Sequence, residues 1–144
     1  MTLLEFDDAV TAYKDLIEHS EDGALPLLVI EIKDSPPMIV GVHITDEASP
    51  AMYVATIAAQ VKNSGQTIER MTWQCESWIH IYDLQGNATG LEEAAFVLMR
   101  DVSGEEKACI IPFTRMEDGV HWREPQYDGE QAGSLLQAIR AAVS

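Results

Sequence analysis

Positive charge is scarce in this chain. Nine Lys and Arg stand against 24 Asp and Glu in 144 residues, a formal charge of −15. Such a surface repels nucleic-acid phosphates and anionic lipid headgroups, so neither nucleic acid nor membrane is an expected partner, whereas a basic protein would suit it. The acids are scattered, and no block of five or six like charges forms a tail. Cysteine is almost absent: Cys75 and Cys109 cannot make a disulfide framework, and both fall on apolar strand faces, Cys75 beside Glu76 rather than a cation, so both read as buried and inert. No apolar run approaches the roughly 20 residues needed to cross a bilayer. The longest, Leu25 to Ile32, is of strand length and is interrupted by Pro26 and Glu31. The opening "MTLLEFDDAV" has no basic region before its apolar residues, so we expect no signal peptide and a cytoplasmic location.

The usual catalytic signatures are missing as well. There is no P-loop, no G-x-G-x-x-G, no nucleophile elbow and no deaminase H-x-E with P-C-x-x-C. His19, His43, His80 and His121 are far apart, with no H-x-H, H-E-x-x-H or cysteine pair at metal spacing, so no metal site and no cofactor is expected. His19 falls near a helix C-terminus, where a partial positive charge is favourable. The tripeptide "NAT" at 87–89 is a chance match to a glycosylation acceptor.

What is present is enough for one core. Hydrophobic residues make up 47% of the chain, which with this length suits a single domain over 1–144. Leu3, Phe6, Val10, Tyr13 and Ile17 predict a helix from Thr2 to about His19, opened by a Thr2/Glu5 capping box. Strands are expected at Leu25 to Lys33 and at 38–45, joined by the turn "DSPP". Ser49 and Pro50 announce a second helix that Gly65 ends, with Val54, Ile57, Ala58 and Val61 on its inner stripe. A long extended run covers 67–83, and its length predicts a bulge or bend within it. Residues 94–102 and 107–115 read as central strands, with Pro112 demanding an edge or irregular position. An Asp118-Gly119 type I′ turn should return the chain to Val120–Glu124. A last helix is expected over about Glu130 to Val143. The order α-β-β-α-β-β-β-β-α, with strands in hairpin runs, predicts an α+β fold: a mostly antiparallel sheet of five or six strands packed with three helices.

One stretch invites a functional reading. "CESWIHIYD", 75–83, alternates so that Cys75, Ile79 and Ile81, with Met71 and Trp73 before them, face the core. Glu76, Trp78, His80 and Tyr82 face the other way. Glu76 and His80 are about 13 Å apart on one strand, so catalysis would need partners from neighbouring strands. His43, Arg100, Arg115 and His121 are the candidates. Trp78 and Tyr82 suit a half-buried binding face. With "EEAAFVLMRDVSGEEKACIIPFTR", this stretch resembles, over residues 75–115, small uncharacterised bacterial α+β proteins with an S-E-A-W-like strand. Glu76 and Trp78 match in order and spacing, while Ser77 and Cys75 stand where that group tends to have Ala and Ser. The resemblance implies the fold and no mechanism. The expectation is therefore a binding or interaction module that self-associates as a homo-oligomer. The alternatives are a small hydrolase-like enzyme with a cleft over Glu76 and His80, completed by His43 or His121, and an acidic decoy for a basic partner.

Overall fold

The structure, a computed structural model, describes residues 5–20, 23–43, 49–126 and 133–144, without the side chains of residues 81 and 82. Three helices and six strands run in the order α1 (Phe6–Glu18), β1 (Leu27–Ile32), β2 (Met38–Gly41), α2 (Pro50–Asn63), β3 (Ile68–Tyr82), β4 (Ala88–Asp101), β5 (Glu106–Met116), β6 (Gly119–Trp122) and α3 (Ser134–Ala142). The strands form one antiparallel sheet in the order β2-β1-β3-β4-β5-β6. This is the expected α+β fold with the expected element order.

Strand parity explains the layering. Leu28, Ile30, Met71, Trp73, Ala94, Phe96, Leu98 and Ile110 share one face and pack with Val54, Ala58 and Val61 of α2 and Leu136 and Ile139 of α3. Their odd neighbours in the ladder, Ala95, Val97, Met99, Cys109, Ile111 and Phe113, share the opposite face and pack with Phe6, Ala9, Tyr13 and Ile17 of α1. Helices therefore cover both faces, and β3 and β4 are buried on both sides along their middles. On the α1 side Gln74 is buried, and its amide nitrogen donates to the Ala9 carbonyl at 3.0 Å. Among the described residues, no helix is long and apolar enough to cross a membrane.

Local chemistry sets the boundaries. The α2 start follows the sequence: the Ser49 hydroxyl accepts from the Met52 N–H with Pro50 in the first turn. At α1 the N-cap is Glu5, which makes no side-chain cap bond; Thr2 and Leu3 lie outside the described residues. In β3 the ladder irregularities fall at the ends, opposite Glu31/Ile32 and at Ile81/Tyr82, rather than in the middle. Alternation thus holds from Arg70 to Ile81 without a flip. Pro112 sits inside β5 and is buried, a position explained by parity. Ile110 exchanges both backbone bonds with Gln126 on the outer side, so the missing N–H of Pro112 also faces outward. There β6 has already ended, and only the Pro112 carbonyl is used, by the Arg123 N–H. The last hairpin differs by one residue from the expected turn. Met116 pairs with Gly119, so the loop is Glu117-Asp118, and neither has positive φ. Gly119, at φ 128°, absorbs the twist just after the loop instead. The last helix begins at Ser134, and residues 127–132 lie outside the described ones.

Two ion clusters lock elements together. Glu31 and Arg70, a cross-strand pair on β1 and β3, are buried and bonded twice, Arg70 Nη2 reaching Glu31 Oε1 at 2.9 Å. On the other face, Glu106 accepts from Arg140 Nε at 2.9 Å and Nη2 at 2.8 Å, and from Arg100 Nη1 at 3.1 Å, fastening α3 to the β4–β5 hairpin. The Arg140 guanidinium, with Arg100 beside it, holds the Glu106 carboxyl below its usual range against the partial burial that would raise it. The unfolded chain therefore takes up this proton first. The stabilisation is complete above the unfolded value of about 4.5 and disappears as pH falls through the lower folded value. Urea unfolding should show Glu106→Gln costing about 1–2 kcal/mol at neutral pH, with the difference from wild type shrinking as the pH drops below about 4. A difference independent of pH would contradict this assignment.

Candidate functional site

The site follows from unequal strand lengths. β1 pairs with β3 only as far as Leu27↔Gln74, and β5 pairs with β4 only from Phe113↔Glu93 onward. β3 and β4 continue together past both limits, through Ile81↔Gly90 and Tyr82↔Ala88. Beyond Gln74 and Glu93 the sheet therefore narrows to a two-stranded ribbon. Its tip is closed by Asp83, whose Oδ1 accepts from the N–H groups of Gln85 and Asn87 at 3.0 and 2.9 Å.

On the α1 face of this ribbon the cross-strand pairs are Glu76↔Ala95, Trp78↔Glu93 and His80↔Leu91. Directly opposite residues point to the same side, so Trp78 and Leu91 are diagonal neighbours. Both are open to solvent, Trp78 at 64% and Leu91 at 57% exposure. Trp73, five residues earlier on the opposite face, is fully buried beneath α2 and α3. Leu84 at the tip is also fully exposed.

Glu76 stands at the root of the ribbon, where the cover of α1 runs out. Arg115 of β5 donates from Nη2 to Glu76 Oε1 at 2.6 Å, and its Nε lies 3.7 Å from Glu93 Oε2. The same guanidinium donates from Nη1 to the carbonyls of Ser20 at 3.1 Å and Ile17 at 3.4 Å at the end of α1, the latter also accepting from the Ser20 N–H. Gly23 then passes so close to Glu76 that a Cβ there would lie 2.9 Å from Oε2, and its φ of 97° is a second reason for glycine. Nearby, the Tyr13 hydroxyl donates to the Leu25 carbonyl at 3.2 Å, and burial raises its pKa. Burial pushes the Cys75 thiol up to about 11, although the Trp73 indole opposes this. Cys109 is likewise raised by burial. Neither thiol is primed as a nucleophile.

The other sequence candidates are dispersed. His121 Nε2 and Asp118 Oδ1 are 2.7 Å apart on the β5–β6 hairpin. His43 is exposed just after β2, and His80 is exposed on the ribbon opposite Leu91. Of the cross-strand groups considered for Glu76, Arg115 is the one bonded to it. Arg100 serves Glu106, and the side chain of Tyr82 lies outside the description. His19 bonds the Asp15 carbonyl through Nδ1 at 2.7 Å, a helix-end contact. Among the described residues no group of three His, Cys, Asp or Glu side chains is placed to hold a metal ion. A cavity of about 50 Å³, enough for a water or two, lies at the far end of β3 between Phe6, Met99, Arg70, Asp101 and Lys107.

Leu91 and Glu93 were not among the residues singled out from sequence, because "ATGLEE" lacks β-branched density and β4 was expected to begin at 94. A signal was available. A strand reaching Tyr82 needs a partner of matching length, and the chain returning through 88–93 supplies it.

No family model, curated protein or solved structure matches this chain.

Arg115 joins three elements through one side chain, so its loss should be costly. Arg115→Ala is expected to lower stability by about 1.5–3 kcal/mol in urea unfolding, since it strands a half-buried carboxylate and removes a donor from the Ser20 carbonyl. Adding Glu76→Gln should recover part of that loss. A change within about 0.5 kcal/mol would show that the guanidinium does not organise this corner.

Proposed function

We propose that this protein is a binding module that takes a cationic, partly apolar protein segment on the α1 face of its β3–β4 ribbon. The observation that carries this reading is the exposure of Trp78 and Leu91 side by side on a projecting two-stranded element. Exposed Trp at the centre of an apolar pair is the residue type that anchors interfaces, because it buries a large area with little rotamer entropy to lose.

Charge supports the nature of the partner. Residues 71–99 contain Glu76, Asp83, Glu92 and Glu93 and no Lys or Arg. Arg115 and Arg123 neutralise part of this, Arg123 Nη1 meeting Glu92 Oε2 at 2.6 Å, so the ribbon remains negative without being a continuous acidic track. That favours a partner that brings apolar contacts with a few cations over one that reads a row of charges, and so weighs against the decoy. The hydrolytic alternative has less to recommend it. Glu76 already accepts from a guanidinium, and His121 is bonded to Asp118 rather than to Glu76.

Trp78 also reports on binding, since Trp73 is buried and Trp122 is half-buried, bonded to Glu18 Oε1 at 2.6 Å with Lys14 over its ring. Titrating the protein with a short peptide of alternating Lys and Leu should shift its fluorescence to the blue, with an affinity that falls steadily between about 50 and 500 mM salt. Trp78→Ala should weaken this binding by about tenfold or more while leaving the unfolding midpoint unchanged. Equal binding by Trp78→Ala, or equal binding of the matching Glu and Leu peptide, would sink the reading.

A further inference from the structure

A second surface differs from the ribbon in both position and charge. β2 forms one edge of the sheet, and among the described residues no strand pairs with its outer side. Ile39 is 70% exposed there and Met38 39%, with Leu25 exposed beside them. Natural edges are blunted by short length, by proline, by charge or by cover. This one is short and follows Pro36 and Pro37, but it carries no charge: residues 35–45, "SPPMIVGVHIT", contain no Asp, Glu, Lys or Arg in a chain of net charge −15.

We infer that this edge pairs with the β2 edge of a second copy, joining two six-stranded sheets about a two-fold axis. Charge selects that occupant. A cationic segment finds no carboxylate on the strip, whereas two strongly acidic molecules can approach closely only where both are neutral.

The backbone fixes the register. The Val42 N–H bonds the Pro26 carbonyl toward β1, so by alternation the amides of Met38 and Val40 also point inward and those of Ile39 and Gly41 point out. Pro37 falls on the outward set, has no N–H, and its ring would crowd a facing carbonyl. An axis through Ile39 would place Pro37 opposite Gly41 of the second copy. An axis through Val40 instead sets Ile39 opposite Gly41 of the second copy, so that the outward N–H and carbonyl groups of both are all matched, and moves Pro37 opposite His43, past the end of β2. Leu25 lies over Gly41, its Cδ2 only 2.6 Å from where a Cβ would sit, so Ile39 of one copy packs against Leu25 of the other. Closure follows from the difference between the two edges. At the far edge His121 is bonded to Asp118, Arg123 to Glu92, and Gln126 folds back onto Ile110. With one adhesive edge per molecule, assembly stops at two.

A pairing this short sits at the low end of interface sizes, so a dissociation constant on the order of tens of micromolar is expected. Sedimentation equilibrium from about 1 µM to 1 mM should show a monomer–dimer equilibrium that strengthens with added salt, as repulsion between the two acidic bodies is screened. Ile39→Glu should weaken it by about tenfold or more, and Trp78→Ala should leave it unchanged. Hydrogen exchange should slow at the Ile39 and Gly41 amides as concentration rises. A monomer across the whole range, a dimer indifferent to Ile39→Glu, or one lost in Trp78→Ala would each overturn the inference.

Discussion

The fold depends on the two-sided burial of β3, and the surface depends on where that burial ends. From Arg70 to Gln74 this strand is sealed on one face by α2 and α3 and on the other by α1. A strand buried on both sides cannot slip by one residue without driving Trp73 and Met71 into the α1 layer and Thr72 and Gln74 into the α2–α3 layer. That constraint fixes the register of β1 and β4, and through them the whole sheet. The seal stops at Glu76, because α1 ends at Glu18 and β1 starts at Leu27. Arg115 marks the boundary. It satisfies the last carbonyls of the helix and the first carboxylate that the helix no longer covers. Past it, β3 keeps its alternation and loses its cover, and Trp78 becomes a surface residue while Trp73 is core.

Much of this was readable in the sequence. The helical stripe of Phe6, Tyr13 and Ile17, the Ser49-Pro50 start of α2 and the alternation of 71–81 are local patterns, and each is built by local rules. Core membership followed because parity and helical period survive folding. What could not be read was non-local. Nothing near Glu76 in the chain says that Arg115 will reach it, since only the pairing order of β3, β4 and β5 brings them together. The length of β4 was missed for a related reason: Gly90, Glu92 and Glu93 have weak intrinsic strand preference and are held extended by the ladder with β3. The shift of the last turn, from Asp118-Gly119 to Glu117-Asp118, shows a glycine serving the strand after a loop rather than the loop itself.

Charge divides the surface as sharply as burial divides the core. The ribbon is acidic and aromatic, while the β2 edge is neutral and aliphatic. On the two proposals, added salt would screen attraction at the first and repulsion at the second, so their responses to ionic strength would be opposite. The two surfaces lie apart. β1 separates β2 from β3, and the ribbon's exposed pair lies on β3 and β4.

The narrowing of the sheet to β3 and β4 beyond Gln74 is the claim on which the ribbon surface rests, and amide hydrogen exchange along β3 addresses it directly. Before Gln74 every amide has a ladder partner on one side or the other. Beyond Glu76 only β4 remains, and by alternation the Trp78 amide points away from it, with no strand beyond it among the described residues. The account predicts uniformly slow exchange from Arg70 to Gln74, then a fast Trp78 amide between slow ones at Ser77 and Ile79. Slow exchange at Trp78 would mean that the ribbon's edge is covered, and would contradict the account.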